Sequence, residues 1–159
     1  MRTDWDYSDR ARTYDERADY SKKAVTDLLN YIGCPADQMV ADIGAGTGKL
    51  TRVLLDYGLK VRAIEPNDNM RSYGIKNTIG RNVTWTEGTG EDTRLNSHSV
   101  YATFYGSSFN VVDHDLALKE VERILNTSGW LCCMWNHRDV NDPIQKDIES
   151  IIKSHISDY

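Results

Sequence analysis

A glycine-rich loop between an apolar run and a helical repeat is the feature that most constrains the fold of this chain. The loop Asp42-Ile43-Gly44-Ala45-Gly46-Thr47-Gly48 follows the apolar run Met39–Ile43. After the loop, apolar residues recur at helical spacing, at Leu50, Val53, Leu54 and Tyr57. This order predicts a strand, a tight turn and a helix, which is the first unit of a parallel α/β sheet.

The same alternation continues along the chain. Further strands are predicted at residues 60–64, 83–87, 100–105 and 130–135. Helices are predicted at residues 20–32, 50–57, 69–77, from about 118 to 128, and from about 142 almost to the end. Strands separated by helical segments of about ten or more residues indicate parallel crossovers. We therefore predict a doubly wound, mostly parallel α/β sheet with helices on both faces.

Length and charge limit the function classes. A chain of 159 residues fits one domain, since about 100 to 200 residues per domain is usual. We divide it into an N-terminal cap with the first helix, residues 1–35, and a core, residues 36–159. The net charge of -5 argues against nucleic-acid binding. The charged N-terminus and a mean hydropathy of -0.57 predict no leader and no membrane span, and hence a cytoplasmic protein.

The three cysteines, Cys34, Cys132 and Cys133, indicate buried thiols. Their number is odd, and the adjacent pair lies on a predicted strand, where neighbouring side chains point to opposite faces. Neither a disulfide nor a thiolate metal site fits this arrangement. We expect no bound metal.

The outer edge of the last predicted strand, residues 130–135, has no neighbouring strand to pair with it. Residues 131–134 are apolar at consecutive positions, as in strands that are covered on both faces. Nothing after the last helix can cover the outer edge of this strand, and an open apolar edge invites pairing with another chain. We expect either that a natural C-terminal portion is absent or that the edge lies in a homodimer interface.

The glycine loop suits an anionic group of a ligand. Glycines let the main chain approach a ligand closely, and the helix start offers N–H groups to a carboxylate or a phosphate. Glu65 follows Gly44 by 21 residues, at the end of the second strand, where a carboxylate accepts hydrogen bonds from ribose hydroxyls. A dinucleotide and S-adenosylmethionine both qualify. The Gly-x-Gly-x-Gly order after Asp42 favours the second. Asp42 itself orients the loop, meets the ligand's ammonium group, or makes only a strand-end hydrogen bond to loop amides.

Several motifs together resemble the class I S-adenosylmethionine-dependent methyltransferases, in their small-molecule, type 11 branch. In chain order they are Tyr14-Asp15-x-Arg17, VADIGAGTGKLT over residues 40–51, VRAIEPNDNM over 61–70, EGTGEDTRL over 87–95, Glu120-x-x-Arg123-Ile124-Leu125, Gly129-Trp130 and Trp135-Asn136-x-Arg138-Asp139. The resemblance covers most of the chain. It implies a Rossmann-like fold, S-adenosylmethionine as methyl donor and S-adenosylhomocysteine as product. Members of this family continue beyond the equivalent of Tyr159, so the last antiparallel strands are expected to be missing.

The resemblance also implies a cofactor site. The methionine portion would lie on Gly44, Ala45, Gly46 and Gly48, with Asp42 as a further site residue. The ribose would lie at Glu65 and Pro66. The adenine would contact Met70 and the turn Gly90-Glu91-Asp92, and Tyr14 and Arg17 would close over the cofactor. As residues alone, Met70 also fits a core position, the turn acids also fit a plain turn, and Tyr14 and Arg17 also fit a solvated helix face.

The acceptor side departs from the family pattern. Many members carry an acid near the start of the fourth strand, then a Gln and a His-Trp pair after it. This chain has Tyr101, and then Ser107, Asn110 and Val111. Methyl transfer mainly needs alignment of nucleophile, carbon and sulfur, and a base only for a protonated acceptor. The candidate catalytic residues are Asn110, which could orient an acceptor, and His114 and His137, which also fit solvated positions. Asp113 is predicted to cap the next helix.

We therefore predict methyl transfer to a small-molecule acceptor without a general base. The alternative is a binding module that keeps the cofactor pocket, lacks catalysis and acts through a partner. A nicotinamide-dependent oxidoreductase is a third reading, supported only by the glycine loop.

Overall fold

A parallel five-stranded sheet organises the computed structural model, which describes residues 18–137, 139 and 141–156. The strands are β1 (Met39–Ile43), β2 (Lys60–Ile64), β3 (Val83–Thr86), β4 (Val100–Gly106) and β5 (Leu125–Met134). Their order across the sheet is β3-β2-β1-β4-β5, and every neighbouring pair is parallel. The chain order reverses between β1 and β4, which is where ligands bind in open α/β sheets.

Helices cover both faces of this sheet. The helices of the described residues are α1 (Lys22–Tyr31), α2 (Lys49–Asp56), α3 (Asp68–Asn77), α4 (His114–Ile124) and α5 (Pro143–His155). On one face, apolar residues of α1 and α2 pack against Val40 and Phe104. On the other face, Val121 and Ile124 of α4 pack against Ile43 and Tyr105. The predicted doubly wound α/β class is confirmed.

Side-chain caps fix the starts of several helices. Ser21, Asn67, Asp113 and Asp142 each accept a hydrogen bond from a backbone N–H of the first turn that follows. Such caps satisfy amides that have no partner within the helix. The predicted capping role of Asp113 is confirmed, and so is the start of the last helix after Asp142.

The predicted end of the fourth helix, near Ser128, is wrong. Helix α4 ends at Ile124, and the next residue, Leu125, already pairs with Val100. The register then jumps, because Ala102 pairs with Trp130. Residues 126–129 therefore bulge out of the strand, with Ser128 at a φ of 64°. Pairing with β4 outweighs the helical spacing of Leu118, Val121 and Leu125.

Strand β5 lies at one edge of the sheet in the described part of the chain. Trp130 of this strand is 40% exposed and makes an edge-to-face contact with Tyr31. The isoleucines of α5 are also largely exposed, at positions 144, 148 and 151. The predicted position of this strand at an open edge is confirmed, and what covers it remains a prediction.

The cysteines are free thiols, with Cys34 and Cys132 buried and Cys133 partly buried. Burial raises the pKa of Cys132 to about 12, so this thiol is protonated and unreactive. Within the residues described, no group of histidine, cysteine and acidic side chains is arranged to hold a metal ion. None of the described helices combines the length and the apolar character that a membrane crossing requires.

Replacing Thr103 by valine should stabilise the protein. Thr103 lies in β4 and is fully buried, and its hydroxyl has no hydrogen-bond partner. Because an unsatisfied buried hydroxyl is costly, Thr103→Val should raise the free energy of unfolding by about 1 kcal/mol or more in urea denaturation. Thr51→Val is the matched control: the Thr51 hydroxyl is equally buried but donates to Asp42, so this change should destabilise. A loss of stability in Thr103→Val would contradict the conclusion that the Thr103 hydroxyl has no hydrogen-bond partner.

Candidate functional site

The glycine loop turns sharply at the carboxyl end of β1. Gly44, Gly46 and Gly48 all have positive φ angles, of 72°, 59° and 84°. At Gly44 a Cβ atom would lie 2.5 Å from the Cβ of Ser108. Only glycine meets both the backbone angle and the close approach here.

The amides of this loop are bound within the protein. The N–H groups of Gly44 and Ala45 both donate to the carbonyl of Ile64, at 2.9 and 3.0 Å. The N–H of Gly46 donates to Glu65, at 2.8 Å, and that of Gly48 to the carbonyl of Ala45, at 2.9 Å. These hydrogen bonds hold the loop against the end of β2. The expectation that the loop would offer these N–H groups to an anion is therefore not met at these four positions.

Glu65 connects the loop to the next helix. Its carboxylate is 7% exposed, and its two oxygens accept from Gly46 N and Asn67 N, each at 2.8 Å. Burial raises the pKa of Glu65, and the two amide hydrogen bonds oppose that rise. Each carboxylate oxygen has a second lone pair, so the side chain retains the capacity to accept from a ribose hydroxyl.

Asp42 caps the start of α2 from the neighbouring strand. The N-cap residue, Gly48, has no side chain to do this. Instead, the 1% exposed carboxyl group of Asp42 accepts from Thr51 Oγ1 at 2.5 Å and from the Thr51 backbone N–H. Burial raises its pKa from 3.8 to about 7, and the charge of Glu65 adds to this rise. The contact that the structure shows for Asp42 is with the start of α2, and its expected roles toward the loop and the ligand stay predictions.

A cavity of about 260 Å³ opens between the loop and the carboxyl ends of β4 and β5. The loop contributes Asp42, Gly44, Ala45, Gly46 and Thr47. Helix α2 contributes Lys49 and Leu50, and the strand ends contribute Gly106, Ser107 and Asn136. Ala18 and Tyr20, which precede α1, complete the wall. Four predicted site residues thus meet at one cavity, and Glu65 adjoins it through Gly46.

Several of these lining residues were missed in the sequence. Tyr20 lies over the end of β4, where a Cβ on Gly106 would be 2.7 Å from the tyrosine hydroxyl. That hydroxyl is 3.3 Å from Ser107 Oγ. No local pattern marks Tyr20 as a site residue, because its position depends on how α1 packs. Lys49 directly follows the last loop glycine, and that adjacency was the signal available for it.

The residues predicted to hold adenine lie beyond this cavity. Met70 is 4% exposed in the first turn of α3, so it also serves the core. In the turn, Glu91 Oε1 accepts from Asp113 N at 2.8 Å, and Asp92 Oδ1 accepts from Arg94 N at 3.2 Å. Gly90 fits closely against Val112, since a Cβ atom would approach it to 2.6 Å.

A buried carboxylate holds the segment after this turn. Glu120 of α4 is 8% exposed, and its Oε1 accepts from the backbone N–H and the hydroxyl of Thr93, at 2.8 and 2.5 Å. Arg123 binds both oxygens of Glu120 and the carbonyl of Leu95. Two of the sequence motifs therefore meet in one network that fixes the loop after β3.

The side chain of Trp85 packs against the glycine loop and α3. Its ring lies 3.2 Å from where a Cβ of Gly48 would be, and 2.1 Å from where a Cβ of Gly74 would be. Its Nε1 donates to Thr78 Oγ1 at 3.0 Å. The indole thus fills the space between the loop and α3.

The candidate acceptor contacts are not at the cavity. His114 stacks on Phe109, and its Nε2 is 3.1 Å from the Phe109 carbonyl. Asn110 and His137 are exposed. Ser107 and Asn136 line the cavity instead. Tyr14 and Arg17 lie outside the described residues.

Comparison with known proteins identifies the family. A family model described as a methyltransferase domain matches residues 41–133, which is more than half of the chain. The chain belongs to the methyltransferase-domain family. The match spans the loop and Glu65, the whole of β2, β3 and β4, and most of β1 and β5.

Relatives of this methyltransferase-domain chain are longer than it is. An uncharacterized methyltransferase of Mycobacterium tuberculosis is 36% identical over 123 residues, which are 77% of this chain and 48% of the relative. A ubiquinone/menaquinone biosynthesis C-methyltransferase of Zymomonas mobilis is 30% identical over 68% of this chain and 46% of its own length. The chain thus spans about half the length of these relatives.

A solved structure shares the methyltransferase fold. It is a protein of Methanococcus maripaludis assigned as an S-adenosyl-L-methionine-dependent methyltransferase, with a TM-score of 0.70. The match covers 86% of this chain and 64% of that one, at 17% identity. The likeness confirms the predicted Rossmann-like methyltransferase fold.

The raised pKa of Asp42 predicts a pH-dependent stability. Its folded-state pKa of about 7 lies above the ordinary 3.8. The neutral carboxyl group therefore adds its full contribution to the free energy of unfolding below about pH 4, and this contribution is lost as the pH rises to about 7. Asp42→Asn should therefore narrow the difference between the melting temperatures at about pH 5 and about pH 8. In the wild type, we expect the titration of Asp42 to lower the free energy of unfolding by a few kcal/mol between these two pH values.

Asp56→Asn is the control for this experiment. Hydrogen bonds from Arg81 and Lys22 lower the pKa of Asp56, so this carboxylate stays ionised over the whole range and its loss should leave the difference unchanged. If the melting temperature of Asp42→Asn depended on pH as that of the wild type does, Asp42 would not titrate between about pH 5 and about pH 8.

Proposed function

We propose that this chain binds S-adenosylmethionine and places its methyl group in line with a small-molecule acceptor. The observation that carries the proposal is the cavity beside the glycine loop, with Glu65 bonded to Gly46 at its edge. Family membership supports methyl transfer as the reaction. The residues present fit the cofactor, because the loop glycines carry no side chain that would fill the cavity and the carboxylate of Glu65 stands beside it.

In this proposal the methionine portion lies in the cavity along Gly44, Ala45 and Gly46. The ribose lies at Glu65 and Pro66, and the adenine extends toward Met70 and the turn Gly90-Glu91-Asp92. Tyr14 and Arg17 belong to the proposed site through the family resemblance. The hydrogen bonds from Glu91 to α4 and from Glu120 to Thr93 would hold the adenine turn in place.

The cavity is built for alignment. When bound, S-adenosylmethionine supplies a methyl group on a sulfonium, whose departure leaves a neutral thioether. Among the described lining residues there is no histidine, and the one carboxyl group, that of Asp42, is bonded to Thr51. Ser107 and Asn136 offer hydrogen bonds that would orient an acceptor. Holding two reactants in line is itself worth up to about 7 to 11 kcal/mol, so the site would act without a general base.

A small organic acceptor is supported by one relative. The Zymomonas mobilis protein is named for C-methylation in ubiquinone and menaquinone biosynthesis. We extend only the class of substrate, a small organic molecule, to this chain. The free cysteines support a reducing compartment such as the cytoplasm.

Glu65→Ala tests the proposed cofactor site. By isothermal titration calorimetry, S-adenosylhomocysteine should bind the wild type and bind Glu65→Ala about 1 to 3 kcal/mol more weakly, because a charged hydrogen-bond acceptor is lost. Glu87→Ala is the matched control: it removes an exposed acid just after the neighbouring strand β3 and should change nothing. Binding of NAD in place of S-adenosylhomocysteine would favour an oxidoreductase. Unchanged affinity in Glu65→Ala would refute its ribose role.

We also propose that the free edge of β5 pairs with a second copy of the chain. The support is the edge position of β5 and the exposure of Trp130. Sedimentation equilibrium should show a dimer, and Trp130→Lys should dissociate it by placing a charge on the edge. Ile79→Lys is the control, since Ile79 is 77% exposed and precedes β3 at the opposite edge. A wild-type monomer at all concentrations would contradict the pairing.

A further inference from the structure

Lys49 is a nearly buried cation at the cavity wall. It is the first residue of α2, and its side chain is 8% exposed. A buried ammonium group is costly unless an anion accompanies it. One carboxylate that accompanies it is that of Asp19, whose Oδ1 lies 2.7 Å from Lys49 Nζ.

The two partners differ sharply in their access to water. The side chain of Asp19 is 72% exposed, against 8% for Lys49. Asp19 lies between Ala18 and Tyr20, which both line the cavity. The hydrogen bond from Lys49 lowers the pKa of Asp19, so this acid is a carboxylate at neutral pH. If the pair separates, Asp19 is readily hydrated, whereas the ammonium group of Lys49 stays at the cavity wall with little access to water.

The loop leaves a role for such a cation. The N–H groups of Gly44, Ala45, Gly46 and Gly48 are all bonded within the protein. A carboxylate in the cavity therefore finds no donor among these four amides. Lys49 lines the same cavity as Gly44 and Gly46.

We propose that Lys49 binds the carboxylate of the cofactor's amino-acid end, and that Asp19 takes that place while the site is empty. The inference rests on the proposed function and deepens it. On binding, the ligand carboxylate replaces Asp19 on the ammonium group. The segment before α1 then gives up its contact with Lys49 of α2, so the position of this segment depends on the ligand.

Calorimetry with two probes tests the assignment. The probes are S-adenosylhomocysteine and its decarboxylated form, which keeps the ammonium group and lacks the carboxylate. Lys49→Met should weaken S-adenosylhomocysteine about tenfold or more, as expected for a charged hydrogen bond, and should leave the decarboxylated probe unchanged. Lys60→Met is the matched control: Lys60 pairs with Asp37 and begins β2, at the end away from the cavity. It should change neither affinity.

Two further variants keep the test independent of folding defects. Lys49→Arg retains the charge and should retain the preference for the carboxylate-bearing probe. Asp19→Asn removes the competing carboxylate and should tighten S-adenosylhomocysteine several-fold, with no effect on the decarboxylated probe.

Different results would overturn the role of Lys49 and the proposed function. Equal losses for both probes in Lys49→Met would mean that Lys49 only positions the loop, and unchanged affinities would refute any contact. Failure of the wild type to bind either probe would instead overturn the proposed function, and the assignment with it.

Discussion

The carboxylate of Glu65 is the contact on which the site depends. Its two oxygens hold the amide of Gly46 in the glycine loop and the amide of Asn67 at the cap of α3. A single side chain thus joins the end of β2 to the two segments on either side of it. Because the group is almost fully buried, these hydrogen bonds are made in a low-dielectric environment where leaving them unmade would be costly. The loop is held in shape before any ligand arrives.

The fold could be predicted from the sequence because periodicity and glycine position carry most of that information. Strands β1 and β2 match their predicted bounds, and the loop lies between β1 and α2 as its glycines require. The end of α4 could not be predicted, since Leu125 continues the helical spacing and its pairing with Val100 is a long-range contact. Local patterns do not record which distant strand competes for a residue.

The site residues, too, fall into those that local sequence could place and those that depend on long-range packing. Asp42, Gly44, Ala45 and Gly46 could be placed together because they are neighbours in the chain. Tyr20, Ser107 and Asn136 come from three separate segments, and only the packing of α1 and the register of β4 with β5 brings them to one wall. The capping role of Asp42 toward Thr51 also depends on the angle between a strand and a helix. Sequence spacing alone does not fix such angles.

The indole of Trp85 has a consequence for how this chain can vary. It touches both Gly48 at the start of α2 and Gly74 within α3, so three positions far apart in the sequence share one volume. A larger residue at either glycine would displace the ring toward the other, and a smaller residue at position 85 would leave a void beneath the loop. The three positions are therefore sterically coupled, and a change of side-chain size at one of them alters the room available at the other two.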